Sequence, residues 1–166
     1  MVSLTYTLQE GLIYGAGITG YLLVMMMTVN PRIWGYSDYP ERVKRKVHPP
    51  SDCEKKRALL VAAPFFIFMS LYPIYSVFKF NATRGGNIEF LDAFTHLIVM
   101  AAFPFFGDLV LLDWVIISKI TPSFVIIEGS DAEDYKDFSH HYVGHAYASV
   151  IILVICALVA FMVSIL

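Results

Sequence analysis

At 166 residues the chain has room for one domain. It is 57% hydrophobic, 15% aromatic and only 16% charged, with a mean hydropathy of +0.63, whereas about a quarter of an ordinary soluble domain is charged. A domain this small cannot enclose so much apolar surface in water, which excludes a water-soluble globular fold and leaves an integral membrane protein whose apolar faces meet lipid.

The formal net charge of −2 says little about partners, because the charges are unevenly spread. Residues 1–10 carry no Lys or Arg. Without a basic region or a small-residue cleavage pattern, this leader and the apolar run behind it read as a retained helix rather than a signal peptide. Residues 11–29, GLIYGAGITGYLLVMMMTV, approach the roughly 20 apolar residues that a spanning helix needs. Gly11/Gly15 and Ala16/Gly20 have small-xxx-small spacing, which lets a neighbouring backbone come close in lipid. Asn30–Pro31 then ends the helix.

The loop 30–57 holds eight of the twelve Lys and Arg residues against four acidic ones. Trp34, Tyr36 and Tyr39 near its start read as an interfacial aromatic belt, and the basic excess predicts a cytoplasmic loop. Arg42, Lys44, Arg45 and Lys46 are its candidate substrate-binding residues for a phosphate-bearing or anionic, lipid-like molecule. A second span covers residues 58–78. It contains Pro64 and Pro73, which neighbouring helices make tolerable in lipid. The outer turn after it carries Asn81-Ala82-Thr83, a glycosylation acceptor pattern for which chance is the simpler account in so short a loop.

The third span, 91–118, takes in Asp92, His96, Pro104, Asp108 and Asp113. Asp92 and His96 lie one turn apart, so a bond between them on one helix face is expected. The loop 119–141 follows, with two Lys against five acidic residues. Its acidity predicts docking against the basic loop, and its β-branched run 123–127 predicts a short extended segment. The last span is 142–166. These spans predict an all-α integral membrane protein. Its single domain, 1–166, is a four-helix, up-down antiparallel bundle with both termini outside and loops 30–57 and 119–141 cytoplasmic.

Depth decides which polar residues can meet. At about 1.5 Å per residue, Asp108 lies about 24 Å and Asp113 about 31 Å beyond residue 92, towards the cytoplasmic boundary. A fourth helix entering near residue 142 puts His145 in its first turn. Asp108, Asp113, His141 and His145 therefore share a depth and are the candidate catalytic residues. Glu10, Asp92 and His96 gather at the opposite face, either as a proton entry or as ordinary helix-end polar pairs. His141 and His145 have the i,i+4 spacing that lets two imidazoles hold one ion. With Asp113 (or Asp108) as the carboxylate, the set suits Zn or Fe(II). Asp137, His141, Gly144 and Ala148 fall on one stripe if helix begins before Asp137, with His140 and His145 on either side. A plainer account makes His140 and His141 interfacial residues at a helix start, with Asp137 as an acid favoured by the helix dipole. Asp108 resists that account, because a carboxylate inside an apolar run is costly.

No phosphate-binding glycine loop, GxSxG elbow, CxxC pair or nucleotide fingerprint is present. Cys53 and Cys156 are expected at different depths, hence unpaired, and His96 has no facing histidine for haem. Three classes remain. One is a membrane-embedded enzyme at the cytoplasmic leaflet using the His/Asp group, with or without a divalent metal. A second is a small oligomeric transporter moving protons or cations through Asp108. The third is an accessory subunit whose glycine face serves assembly. The expected partners are the bilayer and further copies of the chain, not nucleic acid.

Overall fold

The computed structural model describes residues 4–166, which are helical through most of their length and contain no strand. Helix α1 runs Leu4–Thr28, α2 Pro31–Trp34, α3 Glu41–Lys46, α4 Asp52–Thr83, α5 Phe90–Phe106 and α6 Phe138–Ser164. A π-helical segment, Gly107–Ile120, continues directly from α5. Four stretches are long and apolar enough to cross a membrane: α1, α4, α5 with its π continuation, and α6 with the turn before it. At most 28% of the most apolar part of any of them is buried against the rest of the chain. The apolar remainder would be untenable in water and is suited to lipid.

The spans are longer than expected. Residues 4–10 belong to α1 rather than to a separate leader, so Thr7 and Glu10 are buried within the helix. Helix α4 outruns 58–78 at both ends and passes through Pro64 and Pro73. It starts early because Ser51 and Glu54 form a reciprocal capping box that satisfies the first free backbone amides. Helix α6 begins at Phe138, with Asp137 as its N-cap accepting from the Ser139 amide. Asp137 thus stands just outside the helix and does not continue the His141 stripe. The basic loop is not irregular throughout: Asn30 caps α2, where Pro31 occupies the first turn, the position at which proline costs nothing.

Helix α1 makes its most extensive contact with α5, and the glycine face explains part of it. A Cβ on Gly11 or Gly15 would come within 2.6 Å of Phe103 side-chain carbons, so both positions require glycine for this approach. Gly20 does not share in it, since a Cβ there would meet nothing within 4 Å. At one end of the molecule Val77 and Phe80 of α4 pack in a cluster with Cys156, Ala160 and Val163 of α6. A middle layer is formed by Tyr14, Ile18 and Met100.

Several polar residues beyond that layer pair with one another. His96, fully buried, meets Thr7 Oγ1 at 2.9 Å through Nδ1 and Ser76 Oγ at 3.0 Å through Nε2. The predicted Asp92–His96 bond is therefore replaced. Asp92 pairs with Arg84 at 3.5 Å, while Glu10 accepts from Tyr72 at 3.0 Å and Lys79 at 3.3 Å. Cys53 and Cys156 are both free.

At the other end the two long loops meet. Lys46 Nζ reaches Asp131 at 2.9 Å and Asp134 at 2.8 Å. Tyr39, fully buried, donates to the Val125 carbonyl at 3.0 Å and packs edge-on to Tyr135. The run 123–127 is not extended throughout: Ser123–Val125 forms a 3₁₀ turn that buries Val125. Burial of Val125 and Ile127 against Tyr39 and Tyr135 outweighs the β preference of the isolated run.

Candidate metal centre

The π-helical segment sets the geometry of the site. In an α-helix at about 100° per residue, two residues five apart point about 140° away from each other. In a π-helix the hydrogen bonds run from i to i+5, so residues five apart lie one above the other. The segment closes with such a bond, from the Thr121 amide to the Ile116 carbonyl at 2.8 Å. Thr121, in the left-handed region at φ 52°, ends it, and Lys136 ties off that end by donating to the Lys119 carbonyl and to Thr121 Oγ1. Asp108 and Asp113, five residues apart, are thereby brought to one face. A π stretch of this length is uncommon, and such segments concentrate at functional sites.

Helix α6 brings the imidazoles to that face. His145 Nε2 lies 3.5 Å from Asp108 Oδ2, and its Nδ1 lies 3.6 Å from Asp113 Oδ2. His141 Nδ1 lies 3.3 Å from the same Asp113 oxygen. One ligand atom each from Asp108, Asp113 and His145 falls within 4.8 Å of the other two. Ligands held about 2.0–2.1 Å from a shared tetrahedral ion are about 3.4 Å apart, so the Asp108–His145 separation already approaches that of a metal pair.

The second ring nitrogen of His145 strengthens the fit. Its Nδ1 lies 3.1 Å from the His141 carbonyl one turn back. A carbonyl only accepts, so Nδ1 is the protonated nitrogen in that bond, and in the neutral ring the Nε2 lone pair is left facing Asp108. This is how metal-binding histidines are held in one tautomer. The ring also packs edge-on against Phe105 at 5.0 Å between centroids.

His141 differs from the expected ligand set. It touches Asp113 but stands outside the group of three converging atoms, so the acidic partner of His145 is the Asp108/Asp113 pair. It is 6% exposed, and its Nε2 is buried without a hydrogen-bond partner among the described residues. His141, His140 and Asp38 border the same cavity as Asp108, Asp113 and His145, a space of about 800 Å³. Its other walls are largely apolar, from Leu22 and Met26 of α1, Phe65 of α4 and Ile117 of the π segment.

Asp38 was not among the sequence candidates. A turn closed by its own amide on the Gly35 carbonyl directs it inwards, and Gly35 has no room for a side chain because the Tyr39 ring occupies that space. Asp38 retains accessible surface because it faces the cavity. The protein around it, and after that the Asp113 and Asp108 carboxylates, nonetheless push its pKa up from the ordinary aspartate value. The only local signals were the belt aromatics and the Tyr39–Pro40 turn, neither of which specifies which way the carboxylate faces.

The basic residues proposed for substrate binding do not border the cavity. Lys46 is committed to Asp131 and Asp134, Lys44 pairs with Glu41 at 3.4 Å, and Arg42 and Arg45 are exposed elsewhere on α3. The basic-loop cation on the cavity rim is Lys55, in the first turn of α4. The docking of the loops turns α3 towards the acidic segment and so leaves these four off the cavity wall.

No family model, no curated protein and no solved structure matches this chain. The functional reading therefore rests on the site itself.

Proposed function

We propose that this chain is a membrane-embedded, metal-dependent enzyme acting on a lipid-like or anionic substrate at the boundary between membrane and cytoplasm. In this reading the four spans form an up-down antiparallel bundle with both termini outside and the two docked loops in the cytoplasm. Asp108, Asp113 and His145 would hold a divalent ion, Zn or Fe(II), at the edge of the cavity. His141, against Asp113, positions that ligand and would transfer a proton to or from a substrate in the cavity. The observation that carries the reading is the convergence of three ligand atoms within 4.8 Å at the edge of a largely apolar cavity. A metal at such a site supplies Lewis acidity or lowers the pKa of a bound water to about 7, and metal-assisted hydrolysis is the reaction class these groups fit.

The transport reading, with Asp108 as carrier, is less well supported. The middle layer of Tyr14, Ile18 and Met100 is buried at 4% exposure or less and separates the two polar ends. At the far end His96 and Glu10 are already engaged by neighbours.

The test is elemental analysis of chain purified without chelator. One equivalent of a divalent transition metal is expected in the unmodified protein, and His145→Ala and Asp113→Asn should both lose it while remaining folded by circular dichroism. Full metal content in either variant would remove that residue from the ligand set, and metal-free wild-type protein that cannot be loaded with Zn or Fe(II) would sink the reading.

A further inference from the structure

The polar group described above occupies one side of the cavity and leaves most of its volume unexplained. That volume runs between α4 and α6. Beside the larger Leu59, Val61, Phe65 and Phe66 of α4, these helices present it with small side chains at helical spacing: Ala58 and Ala62 on α4, Gly144 and Ala148 on α6. Gly144 is open, since a Cβ added there meets nothing within 4 Å. Farther along, Val77 and Phe80 of α4 join Cys156, Ala160 and Val163 of α6 in one packed cluster. The two helices therefore close on each other at one end and leave a gap at the metal-site end.

That gap also reaches the outside of the bundle. Leu59 and Phe66 border the cavity and are 69% and 52% exposed. On a face that meets lipid, such residues mark a sideways opening into the bilayer rather than a closed pocket. Two polar features say what kind of molecule would enter. Lys55 stands on the rim, one turn before Ala58, in an exposed pair with Asp52 at 3.0 Å that a phosphate can displace. His141 borders the same space, more than nine-tenths buried, with an Nε2 that has no partner. A buried polar atom without a partner is uncommon in a native structure, and one beside a cavity marks where a ligand's polar group can pair.

We propose that the gap between α4 and α6 is a lateral slot for one alkyl chain of a membrane phospholipid. Its methylenes lie along Ala58, Ala62, Gly144 and Ala148, its phosphate lies by Lys55, and a headgroup or ester oxygen meets His141 Nε2. This deepens the enzyme reading by naming its substrate class, and it rests on that reading only for the reaction, not for the binding. Small side chains are what the slot requires: two facing helices must stay apart by about the width of a hydrocarbon chain, and any larger residue fills that width itself. The volume of about 800 Å³ is within the roughly 300–1,000 Å³ of ligand sites that bury most of a small amphiphile.

The experiment uses full-length protein in vesicles of phosphatidylcholine and phosphatidylglycerol, doped with a phospholipid carrying a diazirine midway along one acyl chain. After illumination, crosslinked peptides are mapped by mass spectrometry. Labelling is expected to concentrate on α4 around residues 58–66 and on α6 around residues 144–148, above the level at ordinary lipid-facing positions such as Leu12 and Phe161. Gly144→Leu and, separately, Ala62→Phe should each cut that labelling by about tenfold, the effect of denying burial to roughly two methylenes. Gly144→Leu adds bulk to open space and Ala62→Phe to the cavity wall, and Gly20→Leu, at a position as free of neighbours as Gly144, reports the effect of added bulk alone. Labelling spread evenly over all lipid-facing positions, or concentrated labelling that neither variant reduces, overturns the slot. Metal content measured on the same samples separates the two readings. Retained metal with even labelling rejects the slot alone, whereas concentrated labelling in metal-free protein supports the slot and counts against the metal.

Discussion

Three carboxylates, Asp38, Asp108 and Asp113, border one cavity together with His140, His141 and His145. Crowded acids of this kind raise the free energy of the cation-free protein unless they hold protons. Asp38 shows the effect most directly, its pKa raised by burial and by the other two carboxylates. The linkage then has a definite sign. Below the ordinary aspartate pKa both folded and unfolded chains keep the proton, and Asp38 costs nothing. As pH rises towards the raised folded value, only the unfolded chain releases its proton, so stability falls, and above that value the full cost persists. Asp38→Asn should therefore raise the melting temperature of chelator-treated protein at neutral pH, with the gain vanishing at acidic pH. A lower melting temperature for the variant at neutral pH would contradict this. His141 makes a separate point at the same scale. As a residue that touches a ligand without joining the converging group, it should reduce metal affinity by about 10- to 100-fold when changed to Ala, measured by competition with a chromogenic chelator. Loss as complete as in His145→Ala would promote it to a ligand.

The elements place these residues through two departures from a plain helical bundle. One is the change of winding after Phe106, which stacks Asp108 on Asp113; in a regular α-helix one of them would face away from α6. The other is the close approach of α1 to α5, which brings Gly15 against Phe103 and Pro104 just before the winding changes. Gly107 itself abuts Thr19 of α1, so α1 lines the start of the π segment and constrains where it can sit. Gly15→Ala is expected to cost about 1–3 kcal/mol, the usual penalty for overpacking a close contact. Gly20→Ala should leave stability within about 0.5 kcal/mol of wild type, as surface changes do. Denaturation of both variants in the same detergent provides the comparison, and equal stability would mean that the glycine face is not what brings the two helices together.

At the scale of the whole molecule, the docked loops close the end of the bundle where the cavity lies. Tyr39, next to Asp38, is anchored by Val125 and Tyr135 of the acidic segment. Lys46 holds the same segment through Asp131 and Asp134, and those two carboxylates raise its pKa above the ordinary lysine value. A raised lysine pKa means that its contribution is fully present below the unfolded lysine value and is lost only as pH climbs through the folded one. Between pH 6 and about 9 the latch is therefore insensitive to pH, although salt should weaken its exposed half, Lys46 with Asp131. Lys46→Met is expected to speed amide exchange across residues 123–136 while leaving the helices protected, measured by hydrogen exchange with mass spectrometry. Unchanged exchange would assign the docking to the Tyr39–Tyr135 contact alone.

Composition and the spacing of apolar runs were enough to determine four helices suited to a bilayer, because the need to cover apolar surface is a property of the residues and not of their arrangement. Depth counting was likewise enough to bring Asp108, Asp113, His141 and His145 together at one end, since the rise per residue is nearly constant along a helix. Direction around the helix axis was not legible. It depends on winding, and the i to i+5 pattern after Phe106 begins where α1 lies against Pro104 and Gly107, a contact no local spacing encodes. The same holds for Asp38, which reaches the cavity because the loop folds back, and for Arg42, Lys44, Arg45 and Lys46, which leave it because Lys46 meets its acidic partners 85 residues or more along the chain. Long-range packing of this kind is decided by the tertiary structure alone, because the free energy of burying Tyr39 and pairing Lys46 exists only once both loops are in place.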